Sequence, residues 1–374
     1  KNLTKKYNYV IFIGARIIGI LVKPLLLLFL LKQNNIENAA ILSKFYLIQS
    51  GIFIIFSVPM HFDFYKKHFN DGKIIAHSRK LFTHYIKNLI LHVAITIPIL
   101  TLIIINIIKD IPLSLLIVSL LIAYKLFDEL QRYLQFSKQF NTWSIFFLTI
   151  NVIPCLILIF YSYLSLPYTI HIFIFSSLIT TSLICLFYLP NIIIITLHKS
   201  IKSLYKKDFH NYLNLIIKRH GIKFIQGLST ANILNADKWI VSILASPLFL
   251  SELMIISQYS NAICIGTDNF ALSYRRKELI SKKNTLKNLY NGYKTPAIII
   301  GLTISIIIIL TFIKPLTTNI TLFSPSIILI ILISYSLYSF TKPFTEYLFW
   351  NTNLKITLAI DSVYYTSLII SGII

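Results

Sequence analysis

The chain has 374 residues, of which 35 are Lys or Arg and 13 are Asp or Glu, for a formal net charge of +22. With 56% hydrophobic residues, 13% charged residues and a mean hydropathy of +0.74, it cannot keep a soluble surface wet, which excludes an ordinary water-soluble globular protein. The basic charge does not point to nucleic acid, because most Lys and Arg fall in turns between apolar stretches, where membrane topology and anionic lipid heads account for them.

Crossing a hydrocarbon core of about 30 Å takes about 20 apolar residues. Eleven stretches qualify, at roughly 8–31, 38–60, 81–108, 111–136, 139–161, 167–197, 222–245, 249–273, 295–313, 323–350 and 356–374. The first is long, carries Arg16 and lacks a small-residue cleavage site, so it is a span and not a cleaved signal peptide. The turns at 66–80, 125–138, 199–223 and 275–294 cluster Lys and Arg. Those around Lys32, Lys109, 161–168, 246–251 and 314–325 carry one positive charge or none. Such alternation predicts that each stretch crosses the membrane and that the N-terminus is cytoplasmic. The expected fold is all-α, a polytopic transmembrane helical bundle. Lys1 stands where Met would, and Ile374 lies inside an apolar stretch, so we expect the chain to continue, with a twelfth span. Cys155, Cys185 and Cys264 fall in spans and imply no disulfide framework.

An internal repeat is visible. The segment starting at Leu30, LLKQNNIENAAILSKFYLIQSG, aligns with ILASPLFLSELMIISQYSNAIC, starting at Ile243, at an offset of 213 that superposes Tyr46 on Tyr259. Glu129 and Lys138 match Glu346 and Lys355 at an offset of 217. Two six-helix lobes related as a parallel pseudo-repeat are expected. The first is 1–197, the basic cytoplasmic linker 198–223, and the second 224–374.

Catalysis is not expected. The outer turns are about a dozen residues or fewer and hold no carboxylate pair, Ser/His/Asp set or metal-spaced cluster. His92 and His171 have no acidic or Cys partner close in sequence, and no Gly-rich phosphate loop exists. No cofactor or metal is implied.

Ionisable groups inside spans mark a pathway or a partner, because burying one in lipid is costly. Lys44 and Lys87 lie near span ends, where their stems can snorkel. Arg16 and Lys23 are seven residues apart, two helical turns, so they share one face of the first span, with Arg16 about 12 Å deep. Pro24 should kink that helix. At the 213 offset Lys23 falls on Ala236, beside Asp237 and Lys238. Two readings stand: a cation-lined cavity for an anionic substrate, or salt bridges that hold helices together. Gln258 and Asn261 are ligands or helix–helix glue on the same reasoning. Asp268 lies near them, and Asp361 is a lone acid, either a proton site or the partner of a Lys elsewhere.

The stretch NADKWIVSILASPLFLSELMIISQYSNAI, 235–263, resembles the seventh-to-eighth span region of the Wzx-type O-antigen flippases. These are polysaccharide-transport members of the multidrug/oligosaccharidyl-lipid/polysaccharide exporter superfamily. LFDELQRYLQFSKQFNTWSI, 126–145, looks like the same family's fourth-to-fifth span segment, and the layout of spans is similar. The resemblance implies a MATE-like fold and movement of an undecaprenyl-pyrophosphate-linked oligosaccharide across the bacterial inner membrane. It also implies H+ or Na+ coupling, and a polysaccharide polymerase and glycosyltransferases as partners beside membrane lipids. With the in-span polar groups of this chain, and not a family motif, supplying the site, the substrate-binding residues are expected to be Arg16, Lys23, Lys44, Asp237, Lys238, Gln258 and Asn261, and the ion-coupling residues Asp237, Asp268 and Asp361. The alternatives are a multidrug/cation antiporter of the same fold and a membrane-embedded glycan polymerase or ligase.

Overall fold

The computed structural model describes residues 2–53, 69–70, 73–74, 79–137, 139–164, 169–204, 206–215 and 235–258. The spans expected beyond residue 258, and with them Asn261, Asp268 and Asp361, lie outside the described residues. Ten helices are described: α1 (Asn2–Lys32), α2 (Ile36–Leu47), α3 (Arg79–Ile108), α4 (Ile111–Phe136), α5 (Phe140–Tyr163), α6 (Thr169–Tyr188), α7 (Asn191–Lys202), α8 (Lys206–Leu215), α9 (Ala236–Leu244) and α10 (Pro247–Gln258). A π turn at Ile48–Ile52 extends α2. The exception to the helical build is a minimal antiparallel ladder, β1 (Phe69–Asn70) against β2 (Lys73–Ile74), in register Phe69↔Ile74.

Five helical segments are long and apolar enough to cross a bilayer: Gly14–Lys32, Phe82–Ile108, Ile111–Leu134, Phe140–Tyr163 and Ile170–Tyr188. They fall on the first, third, fourth, fifth and sixth expected spans. α1, α3 and α5 run unbroken through Pro24, Pro98 and Pro154, so Pro24 does not end α1. Burial is inverted relative to a soluble protein. Leu102, Ile145, Leu156 and Leu186 are 59–73% exposed, while Asn88, His92, Lys125, Glu129 and Lys238 are at most 3% exposed. In water such an apolar exterior would drive aggregation, whereas lipid solvates it. The build is that of a multi-pass membrane protein.

One expected boundary is corrected. The stretch 167–197 is not one span: α6 stops at Tyr188 and α7 starts at Asn191. Pro190 has no N–H to donate, and its ring disfavours a helical Leu189. The stretch expected as a basic linker, 198–223, contains the end of α7 and all of α8.

Two tight turns join neighbouring helices. After α1, Asn34 adopts φ 55°, and Asn35 N–H and Asn34 N–H donate to Leu30 O and Leu31 O, a Schellman closure. After α3, Lys109 takes φ 61° and Asp110 caps α4, its Oδ1 accepting from Leu113 N–H at 3.0 Å. The other carboxylate oxygen of Asp110 lies 3.3 Å from Nε2 of His171 on α6. Asp110→Ala is therefore expected to lower stability by about 1 kcal/mol through the lost cap, with Asp110→Asn retaining most of it. Thermal unfolding of the purified variants checks this.

The chain clusters into two compact units. One comprises Lys1–Phe12 and Lys44–Asn235, the other Ile13–Ser43 and Ala236–Ile374. In the first, α4 packs on both α3 and α6, α5 packs on α6, and α7 on α3.

Candidate functional site

In the second unit, α1 brings its two cations to the centre of its buried face. Ala15, Gly19, Ile20, Pro24 and Leu27 surround them on the helical wheel and are buried. Ile11, Ile18 and Leu25, on the opposite side, are 51–55% exposed. Arg16 and Lys23 thus point inward, both half-buried, from a helix whose outer face suits lipid. Both are engaged in polar, ring or electrostatic contacts, so neither is a bare charge in an apolar interior.

α9 repeats the inversion. Lys238 is 1% exposed, whereas Ile243 and Leu244 are 78% and 80% exposed. Lys238 is also engaged, as is Glu252 of α10, which is 4% exposed. Ser246 opens α10, its Oγ accepting from Phe249 N–H at 3.3 Å. The Ser251 hydroxyl lies 3.4 Å from that of Ser43, a buried tie between α10 and α2. Gln258, 8% exposed, is buried six residues beyond Glu252 on the same helix. Asp237 stands in the first turn of α9; its side chain lies outside the described residues. Lys44 is half-buried on α2 and belongs to the first unit. The second unit therefore holds Arg16, Lys23 and Lys238, with Glu252 as a buried acid among its described residues.

The first unit holds a second polar set. The segment from Lys125 is not a turn but the last three turns of α4. Lys125 Nζ lies 2.8 Å from Asp128 and 3.1 Å from Glu129, and Arg132 Nε lies 3.1 Å from Asp128, all at i+3 or i+4 spacings. Tyr85 of α3 donates its hydroxyl to both Glu129 oxygens at 2.9 Å. Charge is balanced within this set, two cations to two carboxylates, so it reads as a clamp between α3 and α4 and not as an anion site. Further along α3, buried Asn88 has no partner for its Nδ2 among the described residues, and His92 Nδ1 meets the Tyr212 hydroxyl of α8. Burial pushes the Tyr212 phenol up, so it stays protonated and can donate to His92. Lys87, near the start of α3, reaches across to the end of α7 and to α8. Its ammonium donates to Ser203 O at 2.7 Å and pairs with Asp208 at 3.4 Å.

Reasoning from sequence missed Glu252, Tyr85 and the Lys125–Glu129 pair. The i+4 spacing of Lys125 and Glu129 is a readable signal, masked when both count as cytoplasmic charge. Tyr85 and Glu252 carry none. His92 and His171 do have partners, Tyr212 and Asp110, remote in sequence. No group of three or more His, Cys, Asp or Glu suited to a metal occurs among the described residues. The chain matches no protein-family model, no curated protein and no solved structure.

Proposed function

We propose that this chain is a transporter that moves an undecaprenyl-pyrophosphate-linked oligosaccharide unit from the inner to the outer leaflet of a bacterial cytoplasmic membrane. The observation that carries the reading is the gathering of Arg16, Lys23 and buried Lys238 into one compact unit, from helices whose outer faces are apolar. A lipid exterior around inward cations suits a pyrophosphate: Arg offers a bidentate fork, and Lys a compact charge. Lys44, Asp237, Gln258 and Asn261 would complete the sugar contacts, with Asp237, Asp268 and Asp361 as ion-coupling acids for H+ or Na+. On this proposal eleven or twelve spans form two MATE-like lobes with the N-terminus cytoplasmic, working by alternating access beside glycosyltransferases and a polymerase.

A drug/cation antiporter of the same build would favour an acidic interior, and the described part of the second unit turns three bases inward, Arg16, Lys23 and Lys238, against the one buried acid Glu252. A polymerase or ligase would need an outer site, and the outer turns read from the sequence are short. The test uses the purified chain in liposomes holding a fluorescent lipid-linked oligosaccharide. Expected is leaflet exchange that rises when an ion gradient is imposed, with the glycan unchanged in length. No exchange under any gradient, or glycan lengthened or ligated without a partner, overturns the proposal.

A further inference from the structure

We propose that α7 and α8 form a seat for an anionic phospholipid, with the lipid phosphate held by Lys199 and Lys202. The starting point is depth. α6 from Ile170 to Tyr188 is 19 residues, about 28 Å, close to the thickness of a hydrocarbon core. Its last turn exposes Phe187 and Tyr188 at 77% and 57%, aromatic rings of the kind that settle at the headgroup level. Pro190 then breaks the helix, so α7 begins where hydrocarbon gives way to headgroups.

The orientation of α7 about its axis is set by its inner face. Ile193, Thr196 and Ser200 are buried. Ile193 packs with Phe82, Tyr85, Ile86 and Leu89 of α3, and the Ser200 hydroxyl donates to Thr83 O at 3.4 Å. The outward face is what remains. Its first half shows Ile194 and Ile195, 44% and 53% exposed, and its second half shows exposed His198, Lys199 and Lys202, with Ile201, 59% exposed, to the side of the two lysines. Ile195, Lys199 and Lys202 stand at i, i+4 and i+7, one stripe that turns from apolar to cationic along the helix. An acyl chain followed by a phosphate has the same order.

Charge decides the headgroup. α7 carries no acid, and the Asp208 of α8 is turned to Lys87. Lys199 and Lys202 have no ion pair among the described residues. α8 adds exposed Phe209 and Leu213, apolar groups suited to the same interface. A headgroup of net negative charge is therefore favoured over a zwitterionic one. This inference does not depend on what the protein transports.

The experiment adds phosphatidylglycerol or phosphatidylcholine to the purified full chain in neutral detergent and reads the apparent melting temperature. A lipid that binds the folded state raises it. Phosphatidylglycerol is expected to raise it by several degrees more than phosphatidylcholine. Lys199→Gln/Lys202→Gln is expected to lose most of that difference, Lys199→Arg/Lys202→Arg to keep it, and Lys32→Gln, which removes an exposed cation elsewhere, to keep it in full. Equal shifts from both lipids, an undiminished shift in Lys199→Gln/Lys202→Gln, or an equal loss in Lys32→Gln would each overturn the seat. A face made for a soluble protein partner would show as the first of these outcomes.

Discussion

Lys125→Met is expected to destabilise the protein by about 3 kcal/mol and to lower its abundance in the membrane, because it strips the ammonium from a buried carboxylate. Glu129 is 1% exposed, with Lys125 Nζ at 3.1 Å and the Tyr85 hydroxyl at 2.9 Å. Removing the cation leaves the tyrosine hydrogen bond in place, but a neutral donor compensates a desolvated charge incompletely. Asp128 fares better, since Arg132 remains at 3.1 Å and Asp128 is partly solvated. The double change Lys125→Met/Glu129→Gln removes both charges while keeping an acceptor for Tyr85. It is expected to recover most of the loss, because replacing a whole buried pair costs far less than breaking one. Apparent melting temperatures of the two variants decide the matter. Wild-type stability in Lys125→Met would show that Glu129 does not depend on this partner.

If the proposed transport function holds, the second large effect falls on it and not on stability. Arg16→Ala and Lys238→Ala are each expected to reduce surface glycan about tenfold or more in a complementation assay, with membrane abundance unchanged. Arg16→Lys keeps the charge and loses the planar fork, so partial function is expected. The competing assignment is a structural ion pair, and it has a separate signature. A cation that only neutralises a buried acid leaves that acid unpaired when removed, and protein level falls. Glu252 makes this contrast sharp for Lys238, since both are buried in the same unit and both are engaged. A normal glycan level from Arg16→Ala/Lys23→Ala would exclude the cation site altogether.

The amino-acid sequence by itself determines the part of this protein that lipid imposes one residue at a time. Apolar runs of sufficient length mark the spans, so the five bilayer-length helices coincide with predicted ones. The seven-residue spacing places Arg16 and Lys23 on one face, and the helix obeys it, with Ile11, Ile18 and Leu25 opposite. Local rules also suffice for Asp110, a capping residue directly before α4. Pro190 carries its break openly, but a hydropathy window averages over one residue and runs the span through it.

The rest is decided by tertiary structure, because it depends on which helices lie side by side. Tyr85 and Glu129 are 44 residues apart, and Lys87 and Asp208 are 121 apart. Nothing in either segment alone selects the other. Composition says that a buried charge needs a partner, and only packing says which one. The same holds for the cations: depth and spacing along α1 are properties of a single helix, while membership of one compact unit with Lys238 depends on how the chain folds back. Lipid constrains each helix separately through its length and its outward face. Pairing among inward faces is left to side-chain fit and charge, and those are set in three dimensions.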